Sequence, residues 1–347
     1  MALCPPNRIY FDDADIGFAD RNTCGVAAMS APLITVAGAY PDIPMDDYHR
    51  NVNLLPGPSL SSSGAKKITS QSAYHYWYDS PLNPDRPEED DKPHFNVGKA
   101  AHDMLLLGDD WRAKYFVLPE GFSLPAKNKF AAAIEEREAA IEAGIPILRY
   151  QDAQVVEAVT KAIGANRDAI NALSNGLPEM TLAWQDKETG VWLRARPDWL
   201  PNSIINGAPV RVVTDLKFLA QTHCRPHGFS KALFDFGYHQ SAAFYDDGIE
   251  AIYGQRATNW LFIAVEKDAP HSVSVYELPQ QDVERGRFQN RQAIRTFADC
   301  LAADKWPSYT SEEIQMIGLP VWARKSIDEF GGMNAATLVN SYQEPSA

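Results

Sequence analysis

Three charged residues in the middle of the chain could hold a divalent metal and hydrolyse a phosphodiester bond. Asp198 follows Pro197, and Asp215-Leu216-Lys217 closes a β-rich run that comes shortly afterwards. Residues i and i+2 of a strand share a face, so Asp215 and Lys217 project together, beside Asp198 if the two strands are neighbours. Two carboxylates can ligate Mg²⁺, and the ammonium can orient or help to deprotonate a water that attacks phosphorus. Taken alone, Asp-x-Lys also fits an ordinary exposed pair on a strand.

The elements around these residues predict a mixed α/β fold. Alternating residues on both sides of the turn sequence DKETG predict a β-hairpin over 180–196. Apolar periodicity predicts helices. The expected helices cover 98–108, 127–143, a segment from about 152, and 282–302, and the other expected strands cover 210–218, 259–267 and 271–278. Residues 1–45 show little periodicity and are expected to form an arm.

Composition excludes several classes of protein. The chain of 347 residues is 45% hydrophobic and carries a net charge of −13, which excludes a histone-like protein that coats nucleic acid through bulk positive charge. It leaves open a metal-dependent enzyme, because a carboxylate site loaded with metal reverses its own sign. No apolar run approaches the ~20 residues of a membrane span. The four cysteines are scattered and no secretory signal is visible, so we expect a cytoplasmic protein.

The motifs, taken in order, carry a family resemblance. Pro197-Asp198 followed by Asp215-Leu216-Lys217 resembles the signature of the PD-(D/E)XK nucleases. The flanking sequence is similar to one branch, the exonuclease VIII (RecE-type) nucleases of phages and prophages. The other matching pieces are Tyr48-His49, Leu60-Ser61-Ser62-Ser63-Gly64 with Lys66, Ser80-Pro81, 95–102, Arg194-Ala195-Arg196, Tyr238-His239, 264–267, 275–278 and Trp306-Pro307. The resemblance implies a nuclease domain over 46–322 with a restriction-endonuclease-like core, a mixed central β-sheet flanked by helices. An N-terminal helical and loop extension would precede it, and residues 323–347 would form a tail.

The resemblance also implies roles for individual residues. Asp198 and Asp215 would be metal ligands, Lys217 the catalytic lysine, and His102 a further metal contact. Catalytic Tyr245 fits the family element Tyr-His-x-Gln-x-x-x-Tyr, but Ser241 occupies the glutamine position and Gln240 lies one place early. One residue is about 100° around a helix, so Gln240 cannot simply replace the expected side chain. Glu179 could face the same site, although a solvated strand end is the more common explanation for an acid at this position.

The residues that contact DNA are less well marked. Arg194 and Arg196 share a strand face close to the motifs, and together with Lys66 and Gln240 they are our candidates for DNA contacts. Arg287, Arg291 and Arg295 recur at i, i+4 and i+8 and would form one helical stripe, a pattern that is more typical of a solvated face.

Together, the motifs and the family resemblance predict a Mg²⁺-dependent deoxyribonuclease in which Mn²⁺ can substitute for Mg²⁺. The resemblance implies 5′-to-3′ exonuclease action on double-stranded DNA ends in phage-type recombination, a single-strand annealing partner and a homo-oligomer. Two alternatives remain open. One is a single-strand nuclease or endonuclease of the same superfamily, including the Cas4 type, whose four cysteines bind an iron–sulfur cluster. The other is a non-catalytic DNA- or protein-binding module on a nuclease fold.

Overall fold

A computed structural model describes residues 32–51, 53–87, 100–101, 103–105, 111, 113–125, 129–310 and 314–331. Its strands are β1 (Gly38–Tyr40), β2 (Ser59–Ser61), β3 (Phe116–Val117), β4 (Ile147–Leu148), β5 (Gly176–Pro178), β6 (Thr181–Gln185), β7 (Trp192–Ala195), β8 (Trp199–Pro201), β9 (Val212–Leu219), β10 (Asn259–Glu266) and β11 (Val273–Leu278). Its helices are α1 (Met45–Arg50), α2 (Ser62–Ser70), α3 (Ala73–Asp79), α4 (Ala131–Glu142), α5 (Tyr150–Ala165), α6 (Arg167–Ala172), α7 (Asn202–Ile205), α8 (Gln221–Cys224), α9 (Pro226–Asp235), α10 (Tyr238–Tyr253), α11 (Gln280–Ala303) and α12 (Val321–Gly331).

A five-stranded mixed sheet in the order β11-β10-β9-β8-β5 forms the centre of the fold. Strands β9 and β10 are parallel, whereas β10–β11, β9–β8 and β8–β5 are antiparallel. Trp199 of β8 pairs with Thr214 of β9. Because partners in an antiparallel pair run in opposite directions, the residue before Trp199 comes opposite the residue after Thr214. This register places Asp198 beside Asp215.

Helices cover both faces of the central sheet. On one face, Leu216 and Ile263 pack in a core with Val156 and Val159 of α5. On the other face, Val213 and Phe262 join a core that includes Phe244 of α10 and residues of α11. A sheet buried on both faces explains the nearly continuous apolar runs of β9 and β10. Asp215 and Lys217 alternate with Leu216 and therefore project toward the α10 side.

The predicted hairpin is confirmed as β6–β7, but it belongs to a second sheet in the order β1-β6-β7-β2. Strand β7 ends at Ala195, and Asp198 is not part of the hairpin but directly precedes β8. Pro197 has no N–H to donate to a strand ladder, and at this point the chain crosses from the second sheet to β8 of the central sheet. Asp198 therefore lies at the junction of the two sheets.

The predicted helices and strands agree with the structure within a few residues at most ends. Helices α4, α5 and α11 correspond to the expected helices at 127–143, from 152 and at 282–302, and residues 100–101 and 103–105 of the expected 98–108 helix are helical. Residues 38–40, in the expected N-terminal arm, form β1, which pairs with β6. Helix α12 includes part of the expected C-terminal tail. Among the described helices, none combines the length and apolar character that crossing a bilayer requires.

Candidate active site

The carboxyl groups of Asp198 and Asp215 form an interacting pair beneath a cavity. Asp215 is only 2% exposed, and Asp198 Oδ2 accepts a hydrogen bond of 2.8 Å from the backbone N–H of Leu216. Burial, followed by the negative charge of Asp198 and a hydrogen bond with it, raises the pKa of Asp215 from 3.8 to about 7, against the lowering effect of Lys217. The raised pKa marks two carboxyl groups that repel one another when both are ionised.

Lys217 completes the cluster on the same face of β9. Its Nζ lies 2.7 Å from Oδ1 of Asp215, and the side chain is 19% exposed. Burial lowers the pKa of Lys217, but the Asp215 and Asp198 carboxylates together outweigh burial, so the net effect is a raised pKa. The ammonium also lies 5.1 Å from the ring centroid of Tyr238. Lys217 is therefore a protonated cation at neutral pH, held between a carboxylate and an aromatic ring.

The donor set fits a hard divalent cation. Apart from the contacts with Lys217 and Asp198, neither oxygen of Asp215 has a hydrogen-bond partner among the described residues. Two adjacent carboxylates supply the oxygen ligands that Mg²⁺ prefers, and a cation between them would relieve their repulsion. Within the described ranges no group of three or more His, Cys, Asp or Glu side chains is arranged to hold a metal. His102, the expected third metal contact, lies outside the described residues.

A second lysine comes to this cluster from far away in the sequence. Lys66 of α2 is close enough to interact electrostatically with Lys217, Asp215 and Asp198. Burial, then repulsion by Lys217, lowers the pKa of Lys66 to about 8, while the two aspartates oppose the change. Gly237, at φ +62°, makes room for this lysine, because a Cβ at that position would lie 2.8 Å from Lys66 Cδ. Sequence reasoning took Lys66 only as a DNA contact and missed its place at the carboxylate pair.

A cavity of about 740 Å³ opens above the cluster. It is bounded by the start of α2, the end of α3, strand β7 and the β7–β8 junction. The residues that line it are Met45, Tyr48, His49, Arg50, Ser61, Ser62, Ser63, Gly64, Lys66, Lys67, Tyr76, Asp79, Ser80, Pro81, Arg86, Glu179, Arg194, Arg196, Asp198 and Tyr245. Six are Lys or Arg and three are Asp or Glu, so the local charge is positive although the whole chain is at −13.

Tyr245 and Glu179 both reach this cavity. Burial, and then the negative charges of Asp215 and Asp198, keep the pKa of Tyr245 well above its ordinary value. Its phenol is therefore a neutral group beside the carboxylate pair. Glu179 is partly buried with φ at +47°, an uncommon backbone conformation for a residue with a Cβ. Its backbone N–H donates to the carbonyl of Asp198 at 3.1 Å, which ties it to the junction between the sheets.

Arg194 and Arg196 line the cavity on either side of one tyrosine. Their guanidinium carbons lie 5.5 and 4.7 Å from the ring centroid of Tyr48. Arg194 donates to the backbone carbonyl of Ser59 at 3.0 Å, and Arg196 donates to the hydroxyl of Thr181 at 2.8 Å. These contacts hold both guanidinium groups in position.

The glutamine position of the family element lies in a buried part of α10. Gln240 is 4% exposed and does not line the cavity, so its DNA contact stays a prediction. Ser241, at the family's glutamine position, is also buried.

The three arginines of the α11 stripe all form ion pairs with acidic residues of other elements, so they form neither an unpaired DNA-binding surface nor an ordinary solvated face. Arg287 contacts Asp246 and Asp247 at 2.6 Å each. Arg291 contacts Asp186 at 2.7 Å, and Arg295 pairs with Glu188. The stripe binds α11 to α10 and to the β6–β7 turn.

The cysteines show no cluster in the described part of the chain. Cys224 and Cys300 are buried and free, and burial raises the pKa of both thiols. Cys4 and Cys24 lie outside the described residues. The two described cysteines thus give no support to the iron–sulfur alternative.

The fold, with Asp198 paired to Asp215 and with Lys217 two residues further along β9, defines a PD-(D/E)XK-type domain. Residues 61–320 match the family described as "PDDEXK-like domain of unknown function (DUF3799)". The chain belongs to this family, and with it to the PD-(D/E)XK nuclease superfamily.

Solved structures agree with the fold. A "Putative exonuclease" from Eubacterium rectale superposes with a TM-score of 0.50 at 11% identity, over 77% of this chain and 93% of that chain. A second structure, of SSO0001, aligns with a TM-score of 0.23 at 11% identity over 56% of this chain and 83% of that chain, and carries no argument. No curated protein matches the chain in sequence.

Proposed function

We propose that this protein is a metal-dependent deoxyribonuclease that uses Mg²⁺, with Mn²⁺ able to substitute. The observation that carries the proposal is the cluster of Asp198, Asp215 and Lys217 beneath a cavity with a positive wall. Perturbed carboxyl groups packed against a lysine in a cleft are typical of catalytic sites. A non-catalytic module would have no need to keep two repelling carboxyl groups and a lysine together in a buried position.

Each residue of the cluster has its own role in the proposed hydrolysis of the phosphodiester bond. Asp198 and Asp215 would hold the divalent cation, which when bound supplies Lewis-acid activation of water and stabilises the leaving oxygen. Lys217 carries a positive charge beside these carboxylates, where it orients the attacking water and balances charge that develops on phosphorus. The backbone N–H of Leu216 fixes the carboxylate of Asp198. Tyr245 presents a neutral phenol that can donate a hydrogen bond to a phosphate oxygen.

Phosphate binding follows from the cavity wall. Arg194 and Arg196, held by their contacts with Tyr48, face the cavity and can each contact a phosphate oxygen. Lys66 adds a cation deeper in the site. Helix α2 begins at Ser62, and helix N-termini attract anions through their free N–H groups and dipole. Net acidity elsewhere in the chain does not oppose this, because screening limits exposed charges to about 10 Å at moderate salt.

The finer assignment is a 5′-to-3′ exonuclease on double-stranded DNA ends in phage-type recombination. Its support is the RecE-type resemblance of the ordered motifs, together with the exonuclease name of the structural neighbour. The same resemblance supports a homo-oligomer, a single-strand annealing partner, His102 as a further metal contact, and a cytoplasmic location in a bacterium or phage-infected cell. The alternatives are an endonuclease or single-strand nuclease of the same superfamily.

The test compares end-labelled linear duplex, linear single strands and closed circular DNA, each with Mg²⁺ or EDTA. We expect Mg²⁺-dependent loss of label from linear duplex while circles stay intact. Cutting of circles would identify an endonuclease, and binding without cutting in any Mg²⁺ or Mn²⁺ condition would contradict the nuclease. Lys217→Ala should abolish hydrolysis while DNA affinity stays within a few-fold, because one cation contributes little to a multi-contact interface. Lys231→Ala, at a lysine 71% exposed on α9, is the matched control and should cleave like wild type.

A further inference from the structure

A cluster of aromatic side chains faces outward on helix α3. Tyr74 and Tyr78 are 41% and 44% exposed, and Trp77 between them is partly buried. The rings of Tyr74 and Trp77 are stacked, with centroids 6.0 Å apart and planes inclined by 29°. Tyr78 lies 6.1 Å from Tyr74. Three neighbouring rings on a seven-residue helix thus form a nearly continuous aromatic surface open to solvent.

Core packing does not account for these rings. Tyr76, on the same helix, faces inward and meets Phe297 edge-on at 5.6 Å, so the helix is anchored by another side chain. Gly64 fits this anchor closely, because a Cβ there would lie 2.7 Å from Tyr76 Cε2. Exposed aromatic area is unfavourable in water by roughly 25 cal/mol per Å². Rings that remain outside an anchored helix therefore point to a ligand that covers them.

The aromatic surface adjoins the candidate active site. Tyr76 and Asp79 of α3 line the cavity. Tyr78, next to Asp79, brings the aromatic surface to the cavity rim, and Tyr74 continues it around the outer face of the helix. At this rim Lys67 is ion-paired with Asp79, and Arg86 also lines the cavity. On the far side, the ring of Tyr309, which is 69% exposed, lies 4.9 Å from His75 and extends the surface.

We propose that Tyr74, Trp77 and Tyr78 form a stacking platform for unpaired bases of a DNA strand that enters or leaves the cavity. This rests on the proposed nuclease function and adds the form of DNA recognised at the rim. Bases inside a duplex are already stacked on each other, so exposed rings can stack only on single-stranded or frayed nucleotides. Because every base has a π face, such stacking tolerates any sequence. The basic side chains of the cavity wall, among them Lys66, Arg194 and Arg196, would supply the backbone contacts that accompany stacking in single-strand binding sites.

The experiment measures equilibrium binding in EDTA, where no cleavage occurs, of labelled blunt duplex and of the same duplex with an oligothymidylate overhang. The variants are Tyr74→Ala/Tyr78→Ala, Tyr74→Phe/Tyr78→Phe and Tyr74→Leu/Tyr78→Leu. Phe288→Ala on α11, where the side chain is 66% exposed, is the matched control for loss of an exposed aromatic ring. Thermal melting checks that each variant is folded.

We expect the alanine pair to bind the overhang substrate at least about tenfold more weakly, given the usual effect of losing one stacked base or more. Blunt duplex should change by less than about twofold. The phenylalanine pair should bind like wild type, and the leucine pair, which keeps apolar area without a π face, should bind like the alanine pair.

Two results would overturn the platform alone: an alanine pair that binds overhangs like wild type, or a leucine pair that restores full binding, which would show that apolar area and not base stacking holds the overhang. In both cases, Mg²⁺-dependent cleavage of blunt duplex by the wild type would still support the nuclease. A wild type that binds neither DNA would overturn the platform together with the proposed function.

Discussion

Replacing Asp215 with asparagine should stabilise the metal-free protein. The folded state holds Asp215 at a pKa of about 7 against an ordinary 3.8, because the carboxyl group is buried beside Asp198. Each tenfold change in proton affinity is worth about 1.36 kcal/mol, so ionised Asp215 costs the folded state roughly 4 kcal/mol at pH 8. Asparagine has the same shape without the charge, and its amide can donate to Asp198. The loss of the ion pair with Lys217 reduces the gain, so we expect a net gain of about 1–4 kcal/mol, or about 1–6 °C in Tm for a chain of this length.

The pH dependence has a definite sign. Since the folded-state pKa of Asp215 is the higher one, its cost is absent below about pH 3.8, grows between that value and about 7, and is constant above. The stabilising effect of Asp215→Asn should therefore be several-fold larger at pH 8 than at pH 4.5. In Mg²⁺ the order of the two Tm values should reverse. Binding of Mg²⁺ stabilises the folded wild type, whereas the variant has lost one of the two carboxylate ligands.

Thermal melts of both proteins at pH 4.5 and pH 8, in EDTA and in Mg²⁺, measure these differences directly. Asp282→Asn, at an exposed position that pairs with Arg285 on α11, controls for the loss of one negative charge. The reasoning is refuted if Asp215→Asn melts below wild type in EDTA at pH 8, or if the gap is the same at both pH values.

Three further expectations concern residues around the site. His102→Ala should reduce Mg²⁺- or Mn²⁺-dependent cleavage at least about tenfold, as is usual for changes around a metal, with little change in Tm; normal cleavage by a less stable protein would make it a packing residue. Gly237→Ala should cost about 1–3 kcal/mol in a denaturant melt, because φ is +62° and the new Cβ would collide with Lys66; an unchanged midpoint would contradict this. Arg291→Ala should cost about 1 kcal/mol through its ion pair with Asp186 while DNA affinity stays unchanged, and a large affinity loss would return the stripe to the DNA interface.

Local sequence was sufficient to predict the centre of the site. The apolar runs of β9 and β10 are long and uninterrupted, which is the pattern of strands covered on both faces, and the i, i+2 rule put Asp215 and Lys217 on one side. The proximity of Asp198 and Asp215 was conditional on the second hairpin strand lying next to β9. The structure places β7 in the other sheet, and it is β8, through the pairing of Trp199 with Thr214, that brings the two aspartates together. What local pattern could not provide was the second sheet, because a hairpin has the same alternation whichever sheet it joins.

Lys66 and the arginine stripe make contacts that local sequence patterns cannot predict. Lys66 reaches the carboxylates because α2 packs on α10 and a glycine at 237 leaves room for it, a contact between segments far apart in the chain. The i, i+4, i+8 spacing of the arginines shows that they share a helix face but not what that face meets. Their partners Asp186 and Asp246 come from other elements, and only the packed structure identifies them.

The arginine stripe and the cavity are nevertheless connected through the hairpin. Arg291 and Arg295 contact Asp186 and Glu188 at the β6–β7 turn, and β7 leads directly into Arg194 and Arg196 on the cavity wall. Strand β7 is also paired with β2, which brings Ser61 opposite Arg194 and starts α2 at the cavity. These ion pairs thus hold the strand that carries Arg194 to the cavity wall, and their acidic partners come from the chain's excess of Asp and Glu over Lys and Arg.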